Sequence, residues 1–178
     1  PGARSRPLVT LLQTDLPHVS LSGGPSPVRR LDLPGEVWVK DDGRLGTVYG
    51  GNKVRKLEWT LADARARGAS CVLTGGALAT NHGLATALYA RELGLRTTLV
   101  LVDQPMDDYV AAAFARLQRT GARIHRARTP RGAYALAPWA YLRSTGRRPP
   151  YWLPVGGSSP RGLLGFVEAG LELAAQVS

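Results

Sequence analysis

Two hydrophobic periods take turns along this chain from Val37 onward. Val37-Trp38-Val39-Lys40 alternates and predicts a strand ending at Asp41-Asp42-Gly43. Val54, Leu57, Leu61 and Ala64 then recur at helical spacing, predicting a helix from Asn52 to about Arg67 that stops at Gly68. Cys71 to Thr74 is the next strand, followed by Gly75-Gly76. A helix from about Asn81 to Glu92 places Leu84, Ala87, Leu88 and Arg91 on one face and stops at Gly94. Thr97 to Val102 reads as a strand buried on both faces of a parallel sheet. Met106, Val110, Ala113, Phe114 and Leu117 predict an amphipathic helix ending at Gly121, and Ala122 to Ala127 an edge or half-exposed strand. Gly132 to Arg143 is helical, and Tyr151 to Val155 is a short strand running into Gly156-Gly157-Ser158-Ser159. Arg161 to Gln176 is a last helix with Leu164, Val167, Leu171 and Ala174 inward. Residues 1–34 hold six of the thirteen prolines and no sustained period, which predicts an extended leading segment with Arg29-Arg30 at a surface turn.

Strands alternating with helices predict an α/β domain with a mostly parallel sheet. Ligands in such sheets bind beyond the carboxyl ends of the strands. Three Gly-rich strand-to-helix turns, around Gly50, Gly76 and Gly157, can converge there.

The decapeptide Tyr49 to Glu58 changes this picture. Of 23 basic residues only three are lysine, and two of those, Lys53 and Lys56, lie in this stretch behind a Gly-Gly turn and an Asn52 cap. A lysine can lose its proton when desolvated and attack a carbonyl carbon, whereas a guanidinium stays charged. At about 100° per residue, Lys53 lies roughly 60° from the centre of the apolar arc and Lys56 roughly 120° away, with Arg55 farther still. Helix phase therefore favours Lys53 as the cation pressed against the interior. The competing reading is a solvated face along which Lys53 snorkels. In Thr74-Gly75-Gly76-Ala77-Leu78-Ala79-Thr80-Asn81-His82, Gly-Gly after a strand lets backbone N–H groups approach an anion, and Thr80 or Asn81 can cap the next helix.

Composition narrows the class. An apolar content of 44% with four tryptophans excludes a disordered chain. No apolar run approaches the roughly 20 residues of a membrane span, and no secretory h-region follows Arg4 and Arg6. The single cysteine, Cys71, reads as a buried strand thiol, and a cytoplasmic setting is expected. The net charge of +10 raises a nucleic-acid partner, but the arginines are scattered, so none is expected. His18, His82 and His125 show no ligand spacing, so no metal site is expected.

Gly50-Gly51-Asn52-Lys53-x-Arg55-Lys56-Leu57-Glu58 resembles the segment that carries the cofactor lysine in the D-cysteine desulfhydrase and 1-aminocyclopropane-1-carboxylate deaminase family. These are pyridoxal-phosphate enzymes of the tryptophan-synthase-β type (fold type II). The family's Gly-Gly-x-Gln-Ser-Asn-(His/Gln) is similar to residues 76–82, and the 27-residue step from Lys53 to Thr80 fits without a gap. The resemblance covers roughly Leu31 to Gln176, with a weaker echo at Gly156 to Gly162. It implies that Lys53 attaches the cofactor covalently and acts as base or acid, with Asn52 beside it among the cofactor-binding residues. Asn81 bonds the cofactor's phenolic oxygen, Thr80 contacts the substrate carboxylate and relays protons, and His82 belongs to the desulfhydrase-like branch. Lys56 either reaches the cofactor phosphate or makes a surface ion pair. The chain departs from the family at Ala77 and at Ala79, where the family has glutamine. Threonine in place of serine at 80 adds a methyl, which is expected to shrink the substrate space.

The implied activity is deamination or β-elimination on a small amino acid such as D-cysteine or the cyclopropane amino acid. The implied division is 1–55 as the start of a large domain, 56–155 as a small α/β domain and 156–178 as the return. Family members are about twice as long and homodimeric, so this chain is expected to be an N-terminal half with weak cofactor binding and little or no turnover alone. A non-catalytic pyridoxal-phosphate-binding fragment and a basic nucleic-acid-binding α/β protein are the other readings.

Overall fold

The computed structural model describes residues 14–177. A two-stranded antiparallel ribbon, β1 (Val28–Arg30) with β2 (Trp38–Lys40), precedes α1 (Lys53–Ala66). The main sheet follows: β3 (Cys71–Ala77), α2 (Asn81–Glu92), β4 (Arg96–Val102), α3 (Asp108–Gln118), β5 (Arg123–Ala127), α4 (Pro130–Ser144) and β6 (Tyr151–Trp152). A 3-10 turn (Val155–Gly157) then leads into α5 (Pro160–Val177). The four strands are all parallel, in the order β5-β4-β3-β6.

This order makes the site. The chain lays β3, β4 and β5 in one direction and then returns to place β6 on the other side of β3. Loops leaving β3 and β6 therefore diverge at their carboxyl ends, which opens the crevice typical of a topological switch point. Around it, Val72 packs with Val54, Leu57 and Leu61 of α1 and with Ala85 and Tyr89 of α2, while Leu73 turns to the other face against Val100 and Ala140. Thr97 to Leu101 are buried as expected of a central strand, and β5 lies at the sheet edge.

Several expectations are corrected. Arg29 and Arg30 are strand residues, not a surface turn, because β1 finds its partner in β2 with Arg29 opposite Val39. Gly75 and Gly76 extend β3 instead of leaving it, paired with Val100 and Leu101. A Cβ at Gly75 would lie 2.9 Å from the Val100 carbonyl oxygen, so this close approach requires glycine. β6 stops at Trp152, shortly before Pro154, which has no N–H for a ladder. Met106 is exposed ahead of α3, whose cap is Asp107, accepting from the Val110 N–H at 2.7 Å.

The largest corrections concern α1 and α5. Every residue of α1 from Val54 to Ala64 is buried, the charged ones included, so this helix has no solvated face and its phase does not rank its lysines. α5 turns Gly162, Gly165 and Glu168 inward, while Val167 and Leu171 are exposed and Leu164 only half-buried. The reason lies in what α1 presents. A Cβ on Gly165 would collide with the Arg55 backbone, Trp59 donates its indole N–H to Glu168 at 2.9 Å, and Arg55 pairs with Glu172. Small residues and buried polar partners decide this crossing, and the apolar stripe of α5 is left outward.

Candidate functional site

The crevice is lined by the start of α1, the loop between β3 and α2, and the loop after β6. Lys53 opens α1, half-buried, with its ammonium on the Asn52 carboxamide oxygen at 3.1 Å. Asn52 occupies the cap position but makes no side-chain capping bond, because its oxygen faces Lys53. Lys56, one turn on, is the more buried of the two lysines at 8% exposure. Its ammonium donates to the Gly156 carbonyl at 3.0 Å and the Ser158 hydroxyl at 3.2 Å, and it lies 5.5 Å from the Phe166 ring centroid. This excludes the surface ion pair. Burial first, and then the Lys53 charge, holds the Lys56 ammonium below the ordinary lysine value.

The loop that Lys56 holds has Gly156 at φ 71° and Gly157 at φ 67°, in the left-handed region open to glycine. A Cβ at Gly157 would press on the His82 ring and the Lys56 stem, both at 3.3 Å. Here the Gly-rich loop and the lysine helix meet, as the turn positions predict.

Across the crevice, Thr80 caps α2 by accepting from the Gly83 N–H at 3.1 Å, which leaves its own hydroxyl proton available. Its extra methyl is lodged against Gly76 and Gly83, where glycine Cβ atoms would approach to 3.2 and 2.5 Å. The added volume is thus taken up by a glycine at the end of β3 and one in the first turn of α2. Asn81 is exposed, and its carboxamide oxygen accepts from the Tyr49 hydroxyl at 2.9 Å, leaving the amide NH2 as the free donor. Burial pushes the Tyr49 phenol up, which keeps it the donor of this pair. Tyr89 clamps the approach from below, donating to the Tyr49 carbonyl at 2.9 Å and accepting its N–H at 3.2 Å.

Tyr49 and Gln104 are contributed to the site by tertiary contacts that no sequence signal marks. Gln104, from the loop after β4, accepts the Ala79 backbone N–H at 3.3 Å. Nothing in the spacing links position 104 to the crevice. Tyr49 stands in the decapeptide but outside the helical pattern, and its phenol gains meaning only when α2 is brought opposite.

His82 is 4% exposed, behind the crevice wall. Its Nε2 lies 3.2 Å from the Thr74 hydroxyl, and its buried Nδ1 has no hydrogen-bond partner. Burial, with the charges of Lys53 and Lys56 added, pushes its pKa down to about 4. Between pH 6.5 and 4 the unfolded chain takes up this proton and the folded chain does not. Stability therefore falls with pH across that window, by on the order of 3 kcal/mol for the full shift. His82→Gln should flatten this slope in urea melts run from pH 7 to 4. Equal slopes in the two proteins would contradict the assignment.

Comparison with known proteins bears on this arrangement. The family described as "Pyridoxal-phosphate dependent enzyme" matches residues 19–178. A D-cysteine desulfhydrase of Salmonella paratyphi A is 34% identical over 174 residues, covering 92% of this chain and 53% of that protein. The crystal structure of an ACC deaminase homologue superposes with a TM-score of 0.78 at 34% identity, covering 91% of this chain and 51% of the other. Maize serine racemase shares the fold at 17% identity, with a TM-score of 0.60 over 80% of this chain. The chain spans about half the length of the relatives it matches. Its fold is the tryptophan synthase β-like fold of type II, and no described helix is long and apolar enough to cross a membrane. With the paired lysines, the capped asparagine loop and the Gly-Gly loop gathered at one switch point, the chain belongs to the pyridoxal-phosphate dependent enzymes.

Proposed function

We propose that this chain supplies the covalent anchor and one wall of the cofactor site of a pyridoxal-phosphate dependent deaminase or lyase acting on a small amino acid. The observation that carries this reading is the unbalanced positive charge of the crevice. Lys53 bonds only a neutral carboxamide and Lys56 only a carbonyl and a hydroxyl, so neither has a carboxylate partner among the described residues. An anion with several acceptor oxygens fits that set. The orphaned His82 Nδ1 and the glycine-lined walls at Gly76 and Gly157 also suit a site shaped for a ligand.

When bound, the cofactor's ring supplies the electron sink. The chain's residues do the rest. The Lys53 amine holds the cofactor and then moves a proton at the substrate's Cα or Cβ. The free NH2 of Asn81 donates to the ring's phenolic oxygen, because Tyr49 occupies the carboxamide oxygen. The Thr80 hydroxyl donates to the substrate carboxylate while its oxygen stays engaged by Gly83. Lys56 pins the Gly156–Ser158 loop and adds charge for the phosphate. The relatives named above point to D-cysteine or the cyclopropane amino acid as substrate, with D-cysteine and water giving sulfide, pyruvate and ammonia.

Borohydride trapping tests this reading. Protein mixed with pyridoxal phosphate and reduced should carry one adduct mapping to Lys53 by mass spectrometry, with an absorption band near the visible edge before reduction. Lys56→Ala should keep the adduct site but bind about tenfold more weakly, a loss of about 1.4 kcal/mol. No adduct, or an adduct on Lys56, would overturn the proposal.

A further inference from the structure

Away from the crevice, the fold gathers three metal-ligating side chains that stand far apart in the sequence. His18 Nε2 of the leading segment lies 3.9 Å from Glu58 Oε2 of α1 and 3.8 Å from Glu168 Oε2 of α5. These ligand atoms all fall within 4.8 Å of one another. We propose that they form a binding site for a first-row divalent cation, zinc foremost.

Geometry carries the argument first. Both His–Glu separations exceed the 2.7–3.2 Å or so of a hydrogen bond. Ligands about 2.0–2.2 Å from one zinc ion stand roughly 3.3 Å apart, so the two His–Glu pairs need to close by about half an ångström and the two carboxylate oxygens, within 4.8 Å of each other, by at most about 1.5 Å. One imidazole and two carboxylates, with a fourth place for water, is a zinc donor set.

The surrounding hydrogen bonds already hold the ligands in place. The other oxygen of Glu58, Oε1, accepts the N–H groups of Leu21 and Ser22 at 2.8 and 2.9 Å, which leaves Oε2 directed at His18. Trp59 donates its indole N–H to the same Oε2 of Glu168 at 2.9 Å, so that oxygen would ligate through its remaining lone pair, and the Trp59 ring packs 4.8 Å from the His18 ring. Ligating carboxylates fixed by outer donors are the usual support of a metal site.

Charge points the same way. The Glu58 and Glu168 side chains are 6% and 9% exposed, and no lysine or arginine among the described residues pairs with either. Lys40 and Arg55 are engaged by Glu172, and Arg55 also by Asp42. A dication held between the two carboxylates neutralises both buried negative charges. On α1, Glu58 projects roughly 200° around the helix from Lys56, so the site is separate from the cofactor crevice. The bound ion would tie the leading segment to α1 and α5 at one point.

Protein stripped with a chelator and titrated with zinc chloride by calorimetry should take up one equivalent, and its melting temperature should rise with zinc concentration. His18→Phe keeps a ring on Trp59, and Glu168→Gln keeps an acceptor for the indole. Each should weaken zinc binding at least tenfold. Cobalt(II) added to the unaltered protein should give the visible d–d bands of a tetrahedral nitrogen and oxygen site, a readout independent of any variant's folding. No uptake at micromolar zinc, absence of those bands, or unchanged affinity in both variants would overturn the site.

Discussion

Lys53→Ala should leave a protein that melts as the parent does but takes up no pyridoxal phosphate covalently. Both halves of this result follow from where the side chain lies. Lys53 is half-buried at the first position of α1, and its side chain's one hydrogen bond among the described residues is to its exposed neighbour Asn52. Removing it vacates no core and strands no buried partner, so the stability change should stay within about 0.5 kcal/mol. Chemically the loss is total at the anchor, and any turnover of the whole enzyme should fall by at least roughly 100-fold with the proton-transfer group gone. Absorption spectra and urea melts of the same preparation separate the two effects. A variant that loses the cofactor together with its fold would show that Lys53 supports structure instead.

The largest effect on stability is expected at Arg55, two residues along. Its guanidinium is 2% exposed and forks onto Asp42 at 2.8 Å and Glu172 at 2.9 Å, with a further bond to the Ser26 hydroxyl at 2.9 Å. It thus joins a second 3-10 turn (Asp42–Arg44), the leading segment and α5 through one planar group. Arg55→Ala leaves Asp42 without the guanidinium that forks onto it and Glu172 with Lys40 as its remaining cation, which costs about 3 kcal/mol, or roughly 10 °C in melting temperature for a chain of this size. Arg55→Lys should recover little of this, since a point charge cannot serve both carboxylates bidentately.

The pH dependence has a definite sign. Against a burial effect that raises them, the bonds to Arg55 hold the Asp42 and Glu172 carboxyls below their ordinary values of 3.8 and 4.5. Their contribution is complete above those values and is lost as pH falls through the lower folded ones. Glu168 has the opposite sign, pushed up mainly by burial, and so offsets part of the acid loss. Thermal melts from pH 6 to 3 should show a smaller acid loss in Arg55→Ala than in the parent. Parallel curves would mean that the network contributes little.

Local signals carried much of this protein. The succession of helices and strands, the glycine stops at Gly68 and Gly94, and the edge position of β5 follow from hydrophobic period and turn chemistry, which act over a few residues. The motif at residues 50–58 and its spacing to Thr80 and Asn81 reached further, to the family that residues 19–178 match. In the structure Asn81 meets the Tyr49 phenol that precedes this motif.

Other features depend on which surfaces meet, and no local period records that. Phase on α1 favoured Lys53 as the buried cation. Yet α5, α2 and the Gly156–Ser158 loop enclose that helix, so Lys56 is the buried lysine and Lys53 stands at the open crevice. The apolar stripe of α5 promised an inward face, but close approach at Gly165 and polar partners at Glu168 and Glu172 turned it outward. The gathering of His18, Glu58 and Glu168 joins positions separated by up to 150 residues. The sequence by itself determined the succession of helices and strands from β2 onward, the lysine-bearing motif and the family. Tertiary packing alone decided which charges are desolvated and which distant residues share a site, because burial belongs to surfaces in contact and not to the order of residues.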